Sequence, residues 1–226
     1  MNFLKVFTYP FIILGDILKF FVIYMPGGFG AKLRYLYYKN RFKACGTNVI
    51  IDAGVHIDGA ELISIGNDVL IDKNCIIATG EKLTGKIKRK PNTDFKGEEG
   101  EIIIGNDVHL AQCCILMGYG GISIGDNCVL SSGCKIYSLT NTAYDPEIKG
   151  KVISIMPYHQ APFLISSVVF RKNVWLGLNS IVMPSVTIAE NSFSVSNSVI
   201  VDSFEENSYL SGNPARRVRK RFNYDN

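Results

Sequence analysis

This 226-residue chain is short of histidine, of cysteine in metal-binding or redox spacing, and of uninterrupted apolar sequence, and each shortage removes a class of function. Its three histidines, His56, His109 and His159, stand far apart, so no pair has the close spacing from which a zinc site draws two imidazoles. Six cysteines are present, yet none forms a Cys-x-x-Cys pair or a Cys/His ligand set. Reduced thiols, a cytoplasmic chain and no metal are the expectation. The longest apolar stretch, residues 3–25, contains Pro10, Asp16 and Lys19. Pro10 is expected to break it, leaving a clean helix from Phe11 to Met25 of about 22 Å, short of the roughly 30 Å hydrocarbon core of a bilayer. No small-residue cleavage site follows, which disfavours a secretory signal.

Acidic residues are scarce where basic ones gather. Residues 1–43 carry Lys5, Lys19, Lys32, Arg34, Lys39, Arg41 and Lys43 against Asp16 alone, and the tail holds Arg216, Arg217, Arg219, Lys220 and Arg221. No nucleic-acid recognition motif accompanies these charges, so no nucleic-acid partner is expected. Phosphate on a cofactor, or anionic lipid, fits them better. Two readings of residues 1–25 stay open: a helix lying in a membrane interface, peripheral to its inner face, or a helix packed on a neighbouring subunit. After a turn at Met25-Pro26-Gly27-Gly28, Phe29 to Lys43 reads as a second helix, with Leu33, Leu36, Tyr37 and Phe42 in an apolar stripe and the basic residues facing out.

What the chain has in abundance is a six-residue beat: an aliphatic residue, a small one, two polar ones, a small or branched one, then a free position. It reads Ile65-Gly66-Asn67-Asp68-Val69-Leu70, then Ile71-Asp72-Lys73-Asn74-Cys75-Ile76. It returns from Ile104, Leu110, Ile124 and Leu130, and again from Phe170 through Leu176, Val182 and Ile188. A period of six is neither the 3.6 of a helix nor the alternation of a two-sided sheet. It suits short strands joined by tight corners, each turning the chain by a third of a circle, and such units must stack to bury their aliphatic positions. Cys75, Cys114, Cys128 and Cys134 fall at the inward fifth position, where a thiol behaves as a small hydrophobe. The expected organisation is an N-terminal helical segment (1–43), an all-β solenoid (44–210) and a basic, helical tail (211–226). Polar loops project at 79–100 and 138–167, where a solenoid usually carries its chemistry.

The IGND and IGDN corners, the stretch Val174-Trp175-Leu176-Gly177-Leu178-Asn179-Ser180 with Pro184-Ser185-Val186-Thr187-Ile188, and Ser211-Gly212-Asn213-Pro214-Ala215-Arg216 resemble the hexapeptide-repeat acyltransferases. The resemblance covers roughly residues 44–222. It implies a left-handed parallel β-helix, a homotrimer with active sites between neighbours, and transfer of an acetyl group from acetyl-CoA to a sugar or glycan hydroxyl or amine in envelope or capsular polysaccharide biosynthesis. It places the donor beside Trp175, over Gly177, Asn179 and Ser180, running to the turn at Gly212, Asn213 and Ala215, with Arg216 and Lys220 near its phosphates.

In similar enzymes a histidine in a loop takes the acceptor's proton; here the matching position is Thr142, within Asn141-Thr142-Ala143-Tyr144-Asp145-Pro146. His159, in the same inserted loop, and His109, at the same repeat position as Trp175 and so facing outward, are the candidate bases. An amine acceptor needs less base than a hydroxyl, in which case Asn141, Thr142, Tyr144 and Asp145 position it. The rival reading is a catalytically impaired relative acting as a scaffold or regulator.

Overall fold

The computed structural model describes residues 3–80, 87–141 and 163–223, with side chains from residue 13 onward. Three parallel sheets are visited in rotation. Sheet A takes β1 (Ala44–Cys45), β4 (Ile63–Ile65), β8 (Ile102–Ile104), β11 (Ile122–Ile124), β16 (Val168–Phe170) and β19 (Thr187–Ile188). Sheet B takes β2 (Ile50–Ile51), β5 (Leu70–Ile71), β9 (His109–Leu110), β12 (Val129–Leu130), β17 (Trp175–Leu176) and β20 (Phe193–Ser194). Sheet C takes β3 (His56–Asp58), β6 (Ile76–Thr79), β10 (Ile115–Gly118), β13 (Lys135–Tyr137), β18 (Ile181–Val182) and β21 (Val199–Ile200). Each circuit pairs a strand with its counterpart one circuit on, as in Ile122↔Ile102 and Trp175↔Val129.

The six-residue beat is explained by what the interior and the corners each demand. Ile65, Ile71, Ile104, Leu110, Ile124, Leu130, Leu176 and Val182 are all buried, as the pattern requires. The corner residues Asn48, Asp68, Asn74, Asp107, Asn127, Asn173, Asn179, Asn191 and Asn197 have φ between 53° and 61°. Asn and Asp are the side chains that best tolerate this left-handed region, which is why the fourth position is so often one of them. Side chains also lock successive corners: Asn67 Oδ1 accepts from Thr47 N–H, Asn106 Oδ1 from Asn67 N–H, and Asp126 Oδ1 from Asn106 N–H. Cys75, Cys114, Cys128 and Cys134 are buried free thiols. Hydrogen bonding with Cys134 and burial push the Cys114 thiol up to about 12, so it stays protonated and packs as a small apolar group.

Three expectations about the N-terminus are corrected. Pro10 does not end the first helix: α1 runs unbroken from Phe3 to Tyr24. One missing backbone hydrogen bond does not terminate a helix that keeps the others on either side. The second helix, α2, begins earlier and ends earlier than expected, at Gly27–Lys39. Its Arg34 does not face out either; it is fully buried. Arg34 Nε donates to Ile51 O at 2.7 Å, and Nη1 donates to Val22 O, Ile23 O and Met25 O. The guanidinium thus satisfies carbonyls at the α1 C-terminus that have no helical partner, at the negative end of the helix dipole. Gly30 permits this approach, since a Cβ there would collide with Met25 O. Beyond that anchor, Ile13, Leu14, Ile17, Leu18, Phe20 and Phe21 remain exposed. Among the described residues no helix is long and apolar enough to cross a membrane.

The tail is a strand rather than a helix. After β22 (Ser208–Gly212), β23 (Ala215–Lys220) folds back antiparallel and finishes sheet B. The tight Gly-Asn-Pro turn makes the hairpin, and a bulge between Arg217 and Arg219 brings Arg217 opposite Leu210 and Arg219 opposite Tyr209. The inserted loops also pair with one another. Within them β7 (Ile87–Arg89), β14 (Leu139–Asn141) and β15 (Phe163–Ile165) form a small sheet in the order β14-β15-β7.

Candidate functional site

Outward-facing residues of sheet B form one continuous row: Leu70, His109, Val129, Trp175, Phe193 and Tyr209 stand in register on adjacent strands. Each step is one inter-strand spacing, about 4.8 Å. Trp175 is 44% exposed, the only tryptophan in the chain, and its Nε1 donates to Ser131 Oγ at 3.0 Å. Phe193 meets its edge and stacks on Tyr209, over whose ring Arg219 lies at 3.9 Å. The indole is therefore held by a hydrogen bond and an aromatic neighbour while one flank stays open. A parallel strip of small residues, Ala111, Ser131 and Gly177, runs beside this row along the same ladder.

Two strands from Trp175, roughly 10 Å away, His109 Nε2 lies 3.0 Å from Asp72 Oδ2, both side chains partly exposed. An ionised carboxylate only accepts, so Nε2 carries the proton and the Nδ1 of the neutral ring is left as a proton acceptor. Asp72 was not singled out from the sequence. Stacking the repeats in phase would have found it, because Leu70 lies beneath His109 and Asp72 follows two places on. Ser131 was overlooked in the same way.

At the far end of this row, Gly212 (φ 108°), Asn213 and Pro214 form the β22–β23 turn, with a cis Asn213–Pro214 bond. Arg216 pairs with Asp202 at 3.3 Å and Arg217 with Glu205 at 2.9 Å; Lys220 ends the strand and is exposed. Asn179 is exposed at a left-handed corner, and Gly177 is buried where the next circuit crosses it. Two expected donor-contacting side chains point the wrong way. The Ser180 hydroxyl is buried against Ser194 Oγ and Val195 O, and the Ala215 methyl is in the core. Ser180 occupies an inward position of the repeat and Ala215 turns inward at the start of β23, so neither side chain can meet a ligand on the outer face.

Both inserted loops leave after a sheet C strand and return to a sheet A strand, following β6 and β13 and preceding β8 and β16. That corner lies across the coil from sheet B. Asn141, at the end of β14, is therefore on the opposite side of the chain from Trp175 and His109, and a single copy does not bring them together. Thr142, Tyr144, Asp145 and His159 lie outside the described residues. His56 is exposed and accepts or donates a 3.0 Å bond with Tyr24 Oη, a structural contact at the base of α1. Among the described residues no group of three or more His, Cys, Asp or Glu side chains could hold a metal ion.

No family model matches the chain. A dTDP-4-amino-4,6-dideoxy-D-glucose acyltransferase from Escherichia coli is 30% identical over 182 residues, which cover 80% of this chain and 83% of that protein. AntD, an N-acyltransferase from Bacillus cereus solved with dTDP and 3-hydroxybutyryl-CoA, superposes with a TM-score of 0.61 at 24% identity, over 83% of this chain and 87% of its own. A maltose O-acetyltransferase from Clostridium difficile superposes with a TM-score of 0.52 at 19% identity, over 84% and 75%. The two structures speak for the fold, whereas the Escherichia coli relative, matched along most of both chains, speaks for descent. With its repeats, its three-sheet coil and that relative, the chain belongs to the hexapeptide-repeat sugar acyltransferases, and it is an acyltransferase.

Proposed function

We propose that this chain moves an acyl group, acetyl in the simplest case, from acyl-coenzyme A to the amine of a nucleotide-linked amino sugar that feeds envelope or capsular polysaccharide synthesis. The relative named for a 4-amino sugar nucleotide supports the acceptor class. The observation that carries the donor site is the exposed, hydrogen-bonded Trp175 beside the strip of Ser131 and Gly177, leading to the Gly212–Ala215 turn. A narrow amide-rich arm suits a floor of small residues, and Arg216 and Lys220 at its end suit phosphates.

In the reaction the neutral amine attacks the thioester carbonyl, the new C–N bond forms, the C–S bond breaks to release coenzyme A thiolate, and the proton lost by nitrogen ends on that sulfur. His109, held by Asp72 with Nδ1 available, is the base on the donor face; Asn141 positions the acceptor from the loop corner. An amine also explains why Thr142 can stand where similar enzymes have histidine, since the nucleophile arrives with its lone pair free.

The architecture that goes with this reading is a left-handed parallel β-helix assembled as a homotrimer. The separation of Asn141 from Trp175 across one chain supports it, because the loops of one copy would then meet sheet B of the next. Residues 1–25 would place the assembly on the inner face of a membrane through the exposed apolar side of α1.

Release of free coenzyme A from acetyl-CoA is the test, with dTDP-4-amino-4,6-dideoxy-D-glucose as acceptor and dTDP-glucose, which lacks the amine, as control. Turnover with the amine only is expected; equal turnover with both would assign transfer to a hydroxyl. No transfer to any amino or hydroxyl sugar nucleotide would overturn the proposal. Sedimentation is expected to give a trimer, and an active monomer would exclude a site shared between copies.

A further inference from the structure

The six-residue beat leaves one inward column that the reaction has not used. Ahead of the sheet C strands it runs Val55, Cys75, Cys114, Cys134, Ser180 and Ser198, stacked circuit on circuit and all buried. The slot demands a small side chain, and Val55 shows that an apolar one suffices. Most of the others also carry a proton to a carbonyl. Cys75 Sγ donates to Ala111 O at 3.1 Å, Cys114 Sγ to Ser131 O at 3.4 Å, and Cys134 Sγ to Gly177 O at 3.2 Å. Ser180 Oγ does the same to Val195 O at 3.2 Å. Each acceptor lies one circuit on, at the corner between sheets B and C.

Three of those acceptors, Ala111, Ser131 and Gly177, are the strip of small residues beside Trp175. Their carbonyls are held from two sides. Ser131 O also accepts from Cys134 N–H and Gly177 O from Ser180 N–H, both at 3.2 Å, which closes each corner turn. A carbonyl oxygen has two lone pairs, and the thiol takes the second.

Two consequences reach the outer surface. A peptide group is planar and trans, so a carbonyl held toward the core sends the next N–H the opposite way. Among the described residues neither Ser132 N–H nor Leu178 N–H has an acceptor, which leaves both for the carbonyl oxygens of an amide-rich arm. Ser131 also accepts from Trp175 Nε1 through its hydroxyl at 3.0 Å. The buried thiol of Cys114, Ser131 and the exposed indole thus form one chain through the wall of the coil.

We infer that Cys114 and Cys134 are positioning residues for the acyl donor. From inside the coil they fix the Ser131 and Gly177 corners, and Cys114 thereby sets the angle of the Trp175 indole. The inference rests on the donor reading of this rail, and the experiment lets the two fail separately.

Fluorescence emission and near-ultraviolet circular dichroism read the corner directly, because Trp175 is the only tryptophan in the chain. Each thiol is replaced in the full chain by Ser, which donates from this column at Ser180, and by Ala and Val, which cannot donate. Ala is smaller than Cys and Val larger, so a shared effect of both is not one of volume. Cys114→Ala and Cys114→Val should alter the Trp175 emission and weaken acetyl-CoA about threefold, the scale of one weak hydrogen bond. That loss should appear in the acetyl-CoA KM with kcat intact, and Cys114→Ser should keep wild-type values. The Cys134 variants should follow the same order in affinity without changing the emission, since the indole bonds Ser131 and not Gly177. Cys128→Ala is the control. Its thiol is equally buried but donates to Arg171 O at 3.1 Å, at the corner before sheet B. It should lower the melting temperature and leave emission and affinity unchanged. Wild-type emission in both Cys114→Ala and Cys114→Val, or an equal change in Cys114→Ser, overturns the inference. Emission that follows this order in a protein that does not bind acetyl-CoA overturns the donor reading and leaves the hold of Cys114 on the indole standing.

Discussion

The outer face of sheet B and the loop corner across the coil from it are built by opposite means. On sheet B every position is dictated by the repeat: Leu70, His109, Val129, Trp175, Phe193 and Tyr209 line up because the same sixth position recurs circuit after circuit. At the corner the repeat is suspended, and β7, β14 and β15 come together from segments far apart in sequence. The first surface is a regular rail on which a long, narrow ligand can lie. The second is irregular and particular, with the Phe95 ring and the Arg89–Glu99 ion pair around a small hollow. On the reading proposed above, the rail takes the donor and the corner takes the acceptor.

That division can be broken most sharply at His109. His109→Ala should lower kcat by about 10²-fold, the lower limit for loss of a general base, because an amine needs less help than a hydroxyl. Coenzyme A affinity should be nearly unchanged, and Asp72→Asn should give a smaller loss in the same direction. A wild-type kcat in His109→Ala would move the chemistry wholly to the loop corner. Next in size, Trp175→Ala should weaken acetyl-CoA by about tenfold through lost aromatic contact, with dTDP affinity untouched; equal loss of both ligands would mean the two surfaces are one site within a single copy. Smaller still, Arg216→Ala with Lys220→Ala should weaken coenzyme A a few-fold at low salt and by less at high salt, since both side chains are exposed.

The smallest effect tests the corner's own stability. Glu101 sits where the first loop re-enters sheet A; burial raises its pKa, but hydrogen bonds from Lys43 Nζ and Glu98 N–H outweigh that and hold it below its ordinary 4.5. A depressed folded value means the carboxylate stabilises the fold above pH 4.5, and that contribution is lost as pH falls through the lowered value. Hydrogen exchange at acidic pH should therefore rise first around 98–101 while the sheet B strands stay protected, and Glu101→Gln should remove that acid sensitivity.

The same contrast explains what could be read from the residues alone. The inward aliphatics, the buried thiols and the place of Trp175 were legible because a six-residue period fixes which way each side chain points. Period alone, carried one step further, would have corrected Ser180, whose slot is an inward one, and exposed Asp72. Arg34 was misjudged because a basic residue on a helix normally faces water, and only the meeting of α1, α2 and β2 reveals four carbonyls waiting for it. Pro10 misled because one lost hydrogen bond was given the weight of a helix end. The hollow at the loop corner was invisible, since its walls come from pairing between two insertions that no periodicity links.

Arg34 has a consequence beyond anchoring a helix. A stack of parallel strands has two open ends, and each is a template on which another stack can continue, as fibres grow. At the first end of sheet B, Ile51 O is taken by the guanidinium and Gly54 N–H by Ile23 O. At the last, β23 turns antiparallel and sets a row of arginine and lysine along the outermost edge. One end is plugged and the other is repellent to its own kind, so the molecule fixes its own length and stays a finite particle instead of the first link of a filament.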